Sequence, residues 1–251
     1  MTPQEIEQLE LKYLNKYYYF LKFAEDEMFQ GFRTKEHIKD DWIGLYGSND
    51  GEGISDFAVG AERIVYSLLN GKGIGQPNSS PVGADMFFEV EDAFIHIDMK
   101  TVNLKNVGDF TNSIFIGENQ NSYKAEIIKR NGNIELYEPA LPTFYGKGNE
   151  NEKICLTYFI TILYDKEDLT IKVISIDSMP NGELSFHYKN RPLRAGKNPG
   201  KARFNIQEVN KFELLSDQPS RIKVVYFDEN MSLELRKKLS LFDKINNHPN
   251  Y

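Results

Sequence analysis

At 251 residues, 40% hydrophobic and 27% charged, the chain is long enough for one sizeable core and too ordinary in composition for a disordered or collagenous protein. A single cysteine excludes disulfide scaffolding within a monomer, no apolar run approaches the ~20 residues of a membrane span, and the N-terminus lacks the basic and apolar regions of a secretory signal, so the cytoplasm is the expected compartment. The net charge of −7 excludes a generic nucleic-acid coat but leaves room for an enzyme with locally positive surface.

Thr2-Pro3-Gln4-Glu5 is a capping box with proline at the first helical position, and it opens a helix running to about Gln30. The tyrosines and phenylalanines of that helix suit core or dimer packing. Residues 44–53 form a Gly/Asp/Asn-rich loop without the acidic spacing of a calcium site. A second helix spans Ile54 to Leu69, with Ser55 as N-cap, Gly71 as stop, and Phe57, Ala61, Ile64, Val65 and Leu68 at helical spacing. Gly71–Gly75 lacks the Gly-Lys-Ser/Thr ending of a P-loop and reads as a connector. Two strands then follow around a short acidic turn at Glu91-Asp92: Met86–Phe88 and Phe94–Ile97. Further strands are expected at 123–129, 154–164, 169–177 and 221–227, with a hairpin turn at Asp165–Asp168 and another turn at Pro180-Asn181-Gly182. Cys155 reads as a buried strand thiol. A last helix over about 231–246 carries Leu235, Leu239 and Phe242 on one face. There is no internal repeat. The whole predicts an α/β or α+β fold with a mixed central sheet flanked by helices, one domain over 1–251.

The hairpin carries the chemistry. Side chains alternate across a strand, so Asp98 and Lys100 share a face, and the turn at 91–92 folds Asp85 back toward Asp98. Two carboxylates and an ammonium on rigid strands can hold Mg²⁺ and orient an attacking water. Glu62 on the preceding helix is either a further member of this group or an ordinary solvated carboxylate. His96 shares the face of Asp98 and reads as a packed strand histidine; the four histidines and one cysteine form no metal or nucleophile set.

Asp85, Asp98 and Lys100 in this hairpin resemble the signature of the PD-(D/E)xK nucleases, and among them the type II restriction endonucleases. The resemblance covers roughly residues 53–130 and departs at one point: Ala84 precedes Asp85, and the nearest proline is Pro81. It implies a restriction-endonuclease-like fold, with the catalytic core at about 53–177. Asp85 and Asp98 would be the Mg²⁺ ligands, the Met99 carbonyl a further one, Lys100 the positioner of water, and Glu62 an auxiliary ligand or base. It implies 5′-phosphate and 3′-hydroxyl ends, a homodimer on a palindromic duplex site, a bacterial or archaeal host and a separate protective DNA methyltransferase.

Two surfaces suit DNA. Lys189, Arg191, Arg194, Lys197, Lys201 and Arg203 form a run without an acidic residue, broken by Pro192, Gly196, Pro199 and Gly200, that reads as a mobile loop leading into a strand at Ala202–Ile206. Basic loops contact phosphates, and an arginine can pair with guanine O6 and N7. The segment 101–122, leaving the end of the Asp98 strand, is dense in amides. Asn103, Asn119 and Gln120 are candidates for adenine edges, with a polar excursion of Asx turns as the equal alternative. The function read here is a type II restriction endonuclease. A repair or structure-selective nuclease with the same core, or a non-catalytic DNA-binding protein, are the alternatives.

Overall fold

The computed structural model describes residues 1–33, 57–70, 76–77, 84–129, 131–196, 201–209 and 220–248. Its strands are β1 (Gln76–Pro77), β2 (Met86–Glu89), β3 (Ala93–Asn103), β4 (Ile114–Ile116), β5 (Ala125–Ile128), β6 (Ile134–Tyr137), β7 (Phe144–Tyr145), β8 (Lys153–Tyr164), β9 (Ile171–Met179), β10 (Leu193–Ala195), β11 (Ala202–Phe204) and β12 (Ile222–Phe227). The main sheet runs β1-β2-β3-β8-β9-β12, with β7 also pairing β8. Among the described strands only β3 and β8 pair in parallel, in register from Ala93 opposite Ile154 to Asn103 opposite Tyr164. The expected mixed sheet is therefore present. Strand β8 explains itself: lying between β3 and β9 and covered on both faces, it is buried from Ile154 to Leu163 and reads as a continuous apolar run rather than an alternating one.

Helix α1 (Pro3–Phe23) starts at the capping box, with Thr2 N–H donating to Glu5 Oε2 at 2.6 Å and Glu5 N–H to Thr2 Oγ1 at 3.3 Å. It packs on β9 and β12, and its Tyr17 ring meets Tyr158 of β8 at 5.9 Å. Helix α2 (Phe57–Asn70) packs on β3, burying Phe57, Ala61, Val65 and Leu69. A small sheet ordered β10-β11-β4 lies against the main one through Phe204 and Phe159, 5.8 Å apart. The C-terminal helices α3 (Leu233–Lys238) and α4 (Ser240–Asn247) follow, the latter set on β12 and bringing Phe242 to Phe110 at 4.7 Å.

Several boundaries differ from the sequence expectation. The first helix breaks at Ala24 before residues 25–33 become helical again, and the last is two helices meeting at Leu239, whose side chain is buried at the joint. The described residues of the segment 189–203 are not all loop: β10 and β11 pair antiparallel from Leu193 opposite Phe204 to Ala195 opposite Ala202. The described breakers, Pro192 and Gly196, flank β10 rather than interrupt it. Pro192 precedes β10, and Gly196 closes it where a Cβ would lie 2.4 Å from the Lys201 carbonyl oxygen. The strand expected over 202–206 ends at Phe204, and 206–209 form a helical turn. Strands β4, β6 and β10 were not expected. Ser55, Gly71, the 44–53 loop and the 71–75 connector lie outside the described residues.

Two buried charged groups sit within this frame. Arg221, at the foot of β12, donates from Nη1 to Glu10 Oε2 at 2.7 Å and from Nη2 to Glu7 Oε1 at 3.1 Å, all three side chains being almost fully enclosed. Tyr188 donates to Glu7, and Asn181 N–H to Glu10 Oε1 at 2.6 Å. The cluster thereby joins α1, the end of β9, the start of β12 and the segment entering β10. Among the described residues Asp177 of β9 accepts from hydroxyls, Thr161 Oγ1 at 2.7 Å and Ser175 Oγ at 3.2 Å, and its burial pushes its pKa up to about 7.

Removing Arg221 would leave two carboxylates without their counter-charge. Arg221→Met is expected to destabilise the fold by about 3–5 kcal/mol, read by denaturant titration. For Asp177 the folded pKa, about 7, lies above the ordinary 3.8, so the folded chain binds the extra proton and stability falls as pH rises between these values. Asp177→Asn removes that dependence. The melting temperature of the variant relative to the parent is expected to rise from pH 5 to pH 8, and a constant difference would contradict the assignment.

Candidate active site

The hairpin forms in the expected register: Met86 lies opposite Ile97 and Glu89 opposite Phe94, which puts Asp85, one residue before β2, across from Asp98. Asp98 is enclosed by the sheet, whereas Asp85 is exposed at its edge. The two are tied through the backbone, Met99 N–H donating to Asp85 Oδ2 at 2.6 Å. Lys100, two residues on and on the same face as Asp98, places Nζ 2.5 Å from Asp98 Oδ2 and 5.9 Å from the centre of the Phe159 ring. That ring, from the neighbouring β8, walls the pair on the inner side.

The electrostatics are those of crowded carboxylates. Burial pushes the Asp98 carboxyl up to about 6; Lys100 opposes the shift, and the charges of Asp85 and Glu62 add to it. Glu62, from α2, is likewise raised, first by desolvation and then by Asp85, with Lys100 opposing. The helix thus brings Glu62 within electrostatic reach of the group. Among the described residues no cluster of three or more His, Cys, Asp or Glu side chains is drawn together for a metal, so the close donors are the two aspartates. Asp98 Oδ2 is buried without a hydrogen-bond donor of good geometry and faces only the Lys100 ammonium. A hard, all-oxygen pair, one carboxylate buried against an ammonium and the other exposed at the sheet edge, suits a small divalent cation that keeps several waters.

Gln120 completes the group in a way the sequence did not indicate. Read as a candidate for adenine, it instead turns inward from the single 3-10 turn Glu118–Gln120. Its Nε2 donates to Asp98 Oδ1 at 2.6 Å, and its Oε1 accepts from Lys100 Nζ at 3.2 Å and from Gly117 N–H at 2.7 Å. The contact spans twenty-two residues of sequence, beyond the reach of strand or helix periodicity. His96 is a packed residue, as expected. It stacks on Phe87, shares a 2.9 Å hydrogen bond with the Tyr145 hydroxyl, and is drawn down to about 4 by burial, which keeps it neutral.

The other nominated residues lie apart from this group. Asn103 spends its side chain on the Lys105 N–H at 3.0 Å, capping the turn after β3, and Asn119 is exposed. Lys189, Arg191 and Lys201 are exposed. Arg194 and Arg203 sit opposite each other across β10 and β11, with Arg203 Nη1 2.7 Å from Asp109 and Arg194 Nη2 3.8 Å from Glu208. These two arginines, with Asn112, Asn131, Asn190 and Lys129, line an open cleft of about 880 Å³ between the β10–β11 hairpin and the β5–β6 hairpin. Lys197 lies outside the described residues.

Residues 3–168 match the family described as type II restriction enzyme MwoI, N-terminal domain, and residues 171–227 match the central domain of the same enzyme. Two solved structures share the fold. The restriction endonuclease BglI bound to its DNA recognition sequence is 15% identical, with a TM-score of 0.70 over 90% of this chain and 92% of that one. The tetrameric restriction endonuclease SfiI bound to cognate DNA is also 15% identical, with a TM-score of 0.63 over 92% of this chain and 88% of that one. No curated protein matches the chain.

The charge crowding is directly measurable. In a carboxyl-carbon NMR titration of the metal-free protein, Asp98 is expected to titrate near 6. Asp85→Asn should lower that value and Lys100→Met should raise it. An Asp98 at the ordinary carboxylate position in all three proteins would refute the arrangement.

Proposed function

The chain belongs to the family of the type II restriction enzyme MwoI, and we propose that it cuts duplex DNA at a specific sequence with the Asp85–Asp98–Lys100 group as its Mg²⁺-dependent active site. The observation that carries the reading is the cross-strand placement of Asp85 and Asp98 with the Lys100 ammonium against them. Asp85, Asp98 and the Met99 carbonyl would hold the cation, with water and a phosphate oxygen completing its shell. When bound, Mg²⁺ makes a water more acidic and offsets charge on the phosphate.

The side chains then have separate tasks. The aspartates would hold the cation beside the scissile phosphate. Lys100 turns its ammonium from Asp98 toward the attacking water and the phosphoryl oxygens, where negative charge develops. Glu62 helps to accept the water's proton, which its raised pKa suits. In-line attack leaves 5′-phosphate and 3′-hydroxyl ends. Lys189, Arg191, Arg194, Lys197, Lys201 and Arg203 supply the positive surface for the duplex, and the amides of Asn103 and Asn119 lie on the segment leaving the catalytic strand. Arg194 and Arg203 lie side by side on β10 and β11 of the three-stranded sheet, where they would present two guanidinium groups to the duplex.

The rest of the reading follows from symmetry and from self-protection. One site cuts one strand, so a homodimer with two-fold symmetry matches a palindromic target. An enzyme of this kind acts in the cytoplasm of a bacterial or archaeal cell beside a DNA methyltransferase that shields the host. The β8–β9 pairing, which joins the two matched segments in one sheet, supports a single domain over the chain.

The test is digestion of unmethylated phage DNA with Mg²⁺, with EDTA and Asp98→Ala controls. Discrete fragments are expected, lost with EDTA and reduced about 100-fold or more in Asp98→Ala and Asp85→Ala. A smear would favour a repair or structure-selective nuclease. Intact DNA across several substrates would favour a non-catalytic DNA-binding protein, and undiminished cutting by Asp98→Ala would overturn the site assignment.

A further inference from the structure

From the hydrogen bonds around Gln120 we infer that this residue is a positioning residue of the cleavage reaction, fixing Asp98 and Lys100 relative to each other, and not a reader of DNA bases. The inference rests on the proposed active site and adds a fifth side chain to Asp85, Asp98, Lys100 and Glu62.

The amide can sit only one way round. Gly117 N–H is a donor that cannot accept, and it lies 2.7 Å from Oε1. The oxygen therefore faces Gly117 and the Lys100 ammonium, and the NH₂ faces the Asp98 carboxylate at 2.6 Å. Each polar atom of the amide is thus committed inside the protein, leaving little hydrogen-bonding capacity for a base edge. The turn that presents it is itself held. A Cβ at Gly117 would lie 2.7 Å from Asn119 Oδ1. The Gly117 carbonyl accepts from Tyr137 Oη at 3.0 Å and from the fully buried Asn121 Nδ2 at 3.2 Å.

The consequence is orientation. Of the two Asp98 oxygens, Oδ1 is held by Gln120 and Oδ2 faces Lys100, so the amide sets the carboxylate plane and anchors Lys100 from a second direction. Such support affects the step after DNA is bound and leaves binding itself untouched.

Two variants separate the alternatives. Gln120→Met removes all three contacts, to Asp98, Lys100 and Gly117, at similar size. Gln120→Glu keeps the acceptor for Gly117 and Lys100 but replaces the donor to Asp98 with a second carboxylate. On phage DNA with Mg²⁺, both are expected to lower kcat about 10- to 100-fold with KM within a factor of two or three. Binding of Mg²⁺ to the free protein, followed by calorimetry, should weaken in Gln120→Met while the melting temperature stays near that of the parent. A raised KM with kcat preserved would mark a DNA contact and overturn the inference, as would parental kcat in Gln120→Glu. Asp98→Ala is run alongside. If it is dead while the Gln120 variants cut normally, the Gln120 role alone fails; if it cuts normally, the site reading fails and this inference with it.

Discussion

The parallel pairing of β3 with β8 is the constraint on which the rest of the structure depends. Parallel neighbours cannot be joined by a tight turn, so about fifty residues leave the end of β3 and return before β8 begins. That excursion contains β4, the turn carrying Gln120, and the β5–β6 hairpin. Because β8 is buried on both faces, it fixes the position of β3 with little freedom, and β3 carries Asp98 and Lys100. The pair is therefore held by backbone pairing over the full length of a central strand rather than by a surface loop.

That rigidity allows an unfavourable charge arrangement to persist. Asp98 is buried beside Asp85 and within reach of Glu62, and its raised pKa reports the free energy of crowding carboxylates away from water. The fold compensates locally with one ammonium and one amide, those of Lys100 and Gln120. By contrast, the Glu7–Glu10–Arg221 cluster on the far side of the sheet is fully enclosed and joins α1 to β12. The first group keeps one carboxylate, Asp85, exposed at the sheet edge. The second is buried throughout, which is what separates a candidate reaction centre from a structural ion cluster.

Much of the fold was legible in local pattern. The Thr2–Glu5 capping box, the apolar run of β8 and the Asp165–Asp168 turn each act over a few residues, and each appears where its residue types place it. The β10–β11 hairpin was misread because its prolines and glycines signal breaks without saying that the short stretches between them find partners. They pair with each other across a short span, and β4, which completes the sheet, comes from more than eighty residues away. The break at Leu239 was hidden for a related reason: helical spacing carries through it, and burial of that leucine between two short helices is a packing decision.

The sequence by itself determined the hairpin and the face on which Asp98 and Lys100 stand, because strand alternation and a short acidic turn leave one register that keeps the apolar set buried. It also determined that Asp85 would meet them, since the register follows from the turn. Only the tertiary structure decided that Gln120 joins them, that Glu62 lies within electrostatic reach, and that Arg203 is paired with Asp109 rather than free in a loop. Those contacts close loops of tens of residues or more. Their geometry is set by how separate elements pack on the sheet, and no local periodicity encodes it.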